Sequence, residues 1–248
     1  MTKRRDFGKT LVAGVVGAGV AGSVAPQVIA AEPKHGPRKN TLMHVGGDYH
    51  SVAGGRGADI TGKANLEYNL RHGVKHLTAT ISKISKDGAW DSDELKRMRD
   101  NCDKAGMTFE AIRMDSEYIM LPNGPERDRR LDSIMGNIQK ASEVGVKVIT
   151  HHWTVIPIRR NTKASGRGGV TYAAFKLEDN WQSLPVGAAG KVSSDDYWER
   201  ITYFLHHVIP VCKQYDVKMA AHPYDPPGLP FGYEGAENWD SPSIFEGF

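Results

Sequence analysis

Three histidines stand where apolar runs stop. In "VKVITHHWTVIP" the pair His151 and His152 closes one run. In "KMAAHPYDPPGLP" His222 closes another, and Pro223, Asp225, Pro226 and Pro227 follow it. An imidazole can ligate a divalent metal or move a proton near neutral pH. Prolines fix φ and restrict the residue before them, so the stretch after His222 would hold both the ring and the Asp225 carboxylate in set positions. Rigidly held groups suit a metal site or a substrate clamp. A hydrogen-bonded structural histidine is the competing reading of His222. Neighbouring residues of a strand point to opposite faces, so one of His151 and His152 should face inward and the other into packing or solvent. Two further stretches follow apolar runs. "RMDSEY" offers Arg113, Asp115 and Glu117, and "MHVGGDYH" offers His44, Asp48 and His50. Asp115 and His50 read as solvated loop residues. Carboxylates, histidines and an arginine converging on one rim would suit an acidic, polyhydroxylated substrate with a divalent metal. The sequence holds no H-E-x-x-H, C-x-x-C or G-x-S-x-G pattern.

Those residues need elements that bring them together. "RHGVKHLTATI", "KAGMTFEAIRM", "EVGVKVITHHW" and "QYDVKMAAHP" share one plan. Each has the end of a helical run, then Gly or Asp, then an apolar residue, then a short stretch rich in apolar and β-branched types. Gly73, Gly106 and Gly145 suit a left-handed turn after a helix, and Asp216 is a poorer substitute. Leu95, Met98 and Cys102 fall on one helical face, as do Leu131, Ile134, Met135, Ile138 and Ala141, and Trp198, Ile201, Leu205 and Val208. Ser92 with Asp93 and Glu94 reads as one helix start, and Ser193 or Ser194 as another. Pro210 should kink the last helix.

The expected order is strand 42–46, helix 62–72, strand 75–80, helix 92–105, strand 108–113, helix 126–144, strand 147–152, a long loop, helix 194–215 and strand 217–221. Alternating strands and helices imply a parallel sheet covered by helices. The spacing fits a (β/α)₈ TIM barrel, whose active site gathers at the C-terminal ends of the strands. A doubly wound open sheet is the rival. It lacks support, because no strand leads into a Gly-rich phosphate loop. "GGDYHSVAGGRG" (46–57) reads as a mobile loop. Residues 154–193 exceed the usual length of a structureless connection and read as a lid or an interface. Five or so βα units are present, and "DSPSIFEGF" reads as the start of a helix with Pro242 at its first position. The expectation is therefore that residues 31–248 are the N-terminal part of a longer barrel domain.

The first thirty residues read differently. Lys3, Arg4, Arg5 and Lys9 precede an apolar, Gly/Ala-rich run and a "VIA" cleavage pattern before Ala31, which is the layout of an export signal. Arg4 and Arg5 followed by Phe7 and Lys9 resemble the twin-arginine signal, R-R-x-F-x-K. This implies a translocon as partner and a periplasmic location. An uncleaved, membrane-anchoring signal is the alternative. The segment carries four of the 32 Lys and Arg residues and one of the 29 Asp and Glu residues. The rest of the chain is thus balanced in charge, and nothing argues for nucleic acid. Twin-arginine cargo folds in a reducing compartment, so Cys102 and Cys212 are expected as free thiols.

"YWERITYFLHHVIPVCKQYDVKMAAHPYDPPGLPFGY" resembles the mannonate dehydratase family, which carries a helix ending in "IP", then "GVKMAIHPDDPP" and a "GLP" stretch. "ASEVGVKVITHHWTVIPIRR" followed by "FKLED" is similar to that family's "GIKVVCYNFMPV" and later "LRFD" regions. The likeness spans roughly residues 65 to 235. It implies a xylose-isomerase-like TIM barrel and Mn²⁺-assisted removal of water from an aldonate, giving a 2-keto-3-deoxy sugar acid. By the same resemblance His222 is a metal ligand, and Asp225 matches the second aspartate of H-P-D-D-P-P. His151 and His152 stand where the family has C-Y-N, which makes them candidates for substrate contact. The family's other metal ligands, a cysteine, a histidine and an aspartate, come from later strands. Tyr224 takes the place of the first aspartate, and Ile81 stands where the family has a strand-two histidine. A sugar isomerase or epimerase on the same barrel, a non-catalytic sugar-binding protein and an inert fragment are the alternatives. The sequence leaves a homo-oligomer open.

Overall fold

The spacing of apolar residues resolves into a five-stranded sheet in which every pair is parallel. In this computed structural model, residues 43–49, 59–115, 117–153, 160–222 and 229–237 are described, all within the unit Met43–Phe248. The export signal with Arg4 and Arg5, His50, the prolines after His222, Asp225 and the helix start near Pro242 lie outside them. The elements are β1 (Gly46–Gly47), α1 (Lys63–Arg71), β2 (His76–Thr80), α2 (Ser92–Ala105), β3 (Thr108–Arg113), α3 (Pro125–Glu143), β4 (Val148–His152), β5 (Thr162–Ser165), β6 (Thr171–Ala174), α4 (Ser194–Tyr215) and β7 (Lys218–His222). The large sheet runs β1-β2-β3-β4-β7, with β1 and β7 at its edges. No helix among the described residues is long and apolar enough to cross a membrane.

Local chemistry sets the boundaries. The Asp91 side chain accepts from the Glu94 amide at 2.7 Å and caps α2. The cap is thus one residue earlier than Ser92, because the aspartate satisfies an amide the helix leaves open. Ser193 and Asp196 form a reciprocal capping box at the start of α4. Pro125 begins α3, where its missing amide hydrogen costs nothing. Gly106 and Asp216 end α2 and α4 in left-handed backbone, with φ of 70° and 51°. Helix α4 stays helical through Pro210.

One face of the sheet carries the core. Ala79, Ile112, Ile149 and Met219 lie opposite one another across β2, β3, β4 and β7. The first three are buried, as are Leu95, Met98, Ile134, Ile138, Ile201, Phe204 and Val208 of the covering helices. Burying a side chain of this size stabilises by about 2 kcal/mol. Asn137 of α3 fixes the turn before α2. It accepts from the Trp90 amide at 2.8 Å and donates to the Gly88 carbonyl at 2.8 Å. The opposite face, which would line a closed barrel, carries His76, Thr78, Thr80, Arg113, Thr150, His152 and His222.

Two stretches differ from the sequence expectation. The first strand is Gly46–Gly47 rather than 42–46, so the Gly-rich stretch starts inside the sheet. A Cβ on Gly47 would come within 2.5 Å of Asn69 Oδ1 and 3.2 Å of Leu77 Cδ1. Glycine here lets α1 approach the strand. Second, the connection after β4 contains structure. β5 and β6 pair as an antiparallel hairpin across Ser165↔Thr171, and 3₁₀ turns cover Arg167–Gly169 and Trp181–Ser183. Most hairpin residues are exposed, so no apolar alternation betrayed them. This connection is tied to the segment after β7. The Val192 amide donates to the Gly235 carbonyl at 2.9 Å, and the Gly187 amide to that of Glu234 at 2.8 Å. Tyr233 is buried between Phe175 and Trp181 and donates to Glu178 at 3.2 Å.

Candidate functional site at the C-terminal rim of the sheet

Parallel strands put all their C-terminal ends on one rim. His152 and His222 are the last residues of β4 and β7 and lie opposite each other in register. Their ring centroids are 6.3 Å apart. Arg113 ends β3. Its Nη2 stands 2.5 Å from His152 Nε2. A guanidinium can only donate, so His152 Nε2 accepts and its proton sits on Nδ1. Burial, the Arg113 charge and His222 together lower the His152 pKa from 6.5 to about 4. Its imidazole is therefore neutral throughout the physiological range. The Arg113 guanidinium also lies over the ring of Tyr49, just past β1, at 4.8 Å from the centroid. Burial raises the Tyr49 pKa, against the opposing Arg113 charge, so its hydroxyl stays protonated.

The alternation of side chains separates the two neighbouring histidines. His152 faces the lumen. His151 faces the helices, buried beside Trp153 at 4.7 Å and Phe204 at 5.9 Å between ring centroids. Neither ring nitrogen of His151 has a hydrogen-bond partner among the described residues. Burial lowers its pKa to about 4. A cavity of about 10 Å³ adjoins it, lined in part by Met114, Tyr118, Ile119 and Phe204.

The other sequence candidates divide between the two ends of the sheet. Asp48 follows β1 and Asp115 follows β3, both toward the rim. Asp115 accepts from the Glu117 amide at 3.1 Å. Glu117 lies in a 3₁₀ turn and pairs with Arg130. His44 precedes β1 instead of following it. It lies at the N-terminal end of the sheet, 2.8 Å from Glu110. The expected strand 42–46 would have carried His44 within it, whereas the observed strand begins two residues after it. Tyr49 was not singled out from the sequence, and only its position one turn residue past a strand could have marked it. Cys102 and Cys212 are free, buried thiols, and burial pushes both up to about 11.

The rim fits an anion better than it fits a cation unaided. Arg113 and Tyr49 are donors, and Arg113 takes up Nε2 of His152. His222 is one imidazole suited to a divalent ion. A divalent ion takes four or more ligands, and among the described residues three such donors converge at one place only, at the opposite end of the sheet.

The sheet and its covering helices form a parallel α/β fold. Within that class the chain is similar to mannonate dehydratases. Residues 184–236 match the family model described as D-mannonate dehydratase (UxuA). That stretch contains the α4–β7 unit and His222. Mannonate dehydratase 2 of Halalkalibacterium halodurans is 24% identical over 205 residues, which covers 68% of this chain and 57% of the relative. The mannonate dehydratase of Thermotoga petrophila is 24% identical over 195 residues, covering 64% and 54%. The crystal structure of mannonate dehydratase from Streptococcus suis superposes with a TM-score of 0.57 at 18% identity, over 79% of this chain and 56% of that one. The chain spans about half the length of the curated relatives it matches.

Proposed function

We propose that this protein acts in the metal-assisted removal of water from a sugar acid, with the rim of β3, β4 and β7 as its site. The observation that carries the reading is Arg113 held against a neutral His152, which lies opposite His222 in register, with His222 inside the stretch similar to mannonate dehydratases. Arg113 binds the substrate carboxylate through two parallel hydrogen bonds, which lysine could not reproduce. His152 Nε2 orients the guanidinium and stays uncharged, so it adds no second positive charge to the rim. Arg113 already occupies Nε2 of His152, so His222 is the imidazole of the pair that ligates the ion. A divalent ion, Mn²⁺ by family resemblance, would stabilise the negative charge that builds on the substrate carboxylate as the C2 proton leaves. The proton passes to a base, the C3 hydroxyl departs as water, and the enol left behind becomes the 2-keto-3-deoxy acid. Asp225 lies outside the described residues and is kept as a substrate contact on the resemblance alone. His151 faces the core and is given no part in substrate contact.

A steady-state assay of D-mannonate loss tests the carboxylate role. Arg113→Ala should weaken substrate binding by about 10²-fold or more, and Arg113→Lys should restore little of it. Equal affinity for D-mannonate in the wild type and Arg113→Ala would sink the assignment. We propose further that the twin-arginine segment exports the folded protein, with Arg4 and Arg5 read by the translocon.

A further inference from the structure

The opposite end of the same sheet holds a second group of ligands that the rim chemistry does not use. His44 lies just before β1, His76 opens β2, and Glu110 lies within β3. Their ligand atoms all lie within 4.8 Å of one another. His44 Nε2 is 2.8 Å from Glu110 Oε2, and His76 Nδ1 is 3.3 Å from the same oxygen. The two imidazoles stack with centroids 3.5 Å apart. Two ligands of one tetrahedral ion with bonds near 2.1 Å are about 3.4 Å apart. The His76–Glu110 separation lies at that spacing, while His44 and Glu110 sit at the shorter hydrogen-bond distance and would open by about half an ångström around an ion.

The backbone is bent to produce this convergence. His76 pairs with Thr108 and Leu77 with Phe109, but Thr78 pairs with Ala111, so the register shifts around Glu110. A bulge leaves one residue extra and re-aims its side chain. Here the extra residue is Glu110, and its carboxylate turns to the His76 side. His76 Nδ1 is a buried nitrogen with no hydrogen bond, even though it faces that carboxylate. The three side chains remain between 31% and 41% exposed, so an ion could enter from solvent.

We propose that His44, His76 and Glu110 form a divalent transition-metal site of the two-histidine, one-carboxylate type, at the N-terminal end of the sheet. Imidazole and carboxylate together suit Zn²⁺ and its neighbours over Ca²⁺ or Mg²⁺, which prefer all-oxygen shells. Three protein ligands leave a position for water, and the ion joins the edge strand β1 to β2 and β3. This site stands or falls apart from the rim, because it shares no residue with it.

Zn²⁺ titration calorimetry on the full chain carrying His222→Ala reads this site without the proposed rim ligand. One Zn²⁺ should bind per chain. Adding Glu110→Gln, which keeps the shape of the side chain, should weaken that binding by at least about 10–100-fold, the loss typical of disturbing even an outer partner of a metal ligand. His44→Ala, at an exposed position before the strand, should do the same while circular dichroism stays unchanged. Zn²⁺ should also raise the melting temperature of the His222→Ala protein and fail to raise it once Glu110→Gln is added. Absence of Zn²⁺ binding, or isotherms unaltered by both Glu110→Gln and His44→Ala, would overturn the site and leave a plain hydrogen-bonded cluster.

Discussion

His151 should make this protein sensitive to acid, and replacing it should remove much of that sensitivity. The ring is 4% exposed and has no hydrogen-bond partner for either nitrogen among the described residues. Burial lowers its pKa from 6.5 to about 4. The folded state therefore keeps the ring neutral between those values, while the unfolded chain takes up a proton. Where the unfolded state binds more protons, stability rises with pH. The contribution is thus intact above pH 6.5 and is lost as pH falls toward 4. With these two pKa values the loss from pH 7 to pH 5 is about 2 kcal/mol, and at pH 4 it reaches about 3 kcal/mol. Phenylalanine can take the place of the ring, because Trp153 and Phe204 already pack edge and face against it and a small cavity adjoins it. Urea unfolding at a series of pH values measures the effect. His151→Phe should lose about 2 kcal/mol less than the wild type between pH 7 and pH 5. His152 titrates in both proteins and cancels in the comparison. Parallel curves for the two proteins would show that His151 is not held neutral by burial, and the reasoning would fail.

Asn137→Ala should destabilise the protein by about 2–4 kcal/mol, since it strands the buried Trp90 amide and Gly88 carbonyl. Denaturant midpoints check it, and a change under 1 kcal/mol would mean that these groups find other partners. For export, Arg4→Lys with Arg5→Lys should leave the protein in the cytoplasm, because lysine does not present the guanidinium pair. Fractionation that finds the double variant exported as before would remove the twin-arginine assignment.

The helices and inner strands were legible in the sequence for a physical reason. Their apolar residues repeat at the helical or strand period against one continuous core, and their ends carry Gly, Asp or Ser at the capping positions. Gly106 and Ser193 are such signals, and both act as the spacing implied. Of the rim, Arg113, His152 and His222 were visible because each closes an apolar run. What the sequence hid falls outside those patterns. The β5–β6 hairpin is largely exposed, so packing leaves no period in it. The bulge at Glu110 depends on how β3 pairs with β2, a relation between segments that no local pattern encodes. The end of the sheet at which His44 lies turned on whether two glycines could be a strand, and that was decided by how closely α1 packs on Gly47.

The central claim is that His222 ligates a divalent ion at the rim. It is tested by metal analysis and melting temperature on one sample of His222→Ala, prepared in the Glu110→Gln background so that binding at the N-terminal cluster is weakened. In a Mn²⁺ titration with free ion present, the parent protein should hold one ion per chain at the rim. The His222→Ala protein should hold none there, with its melting temperature without metal unchanged, since His222 is an exposed edge-strand residue and alanine empties a ligand position without opening the core. Retention of the ion together with a lowered melting temperature would contradict the claim and make His222 a structural residue of the rim.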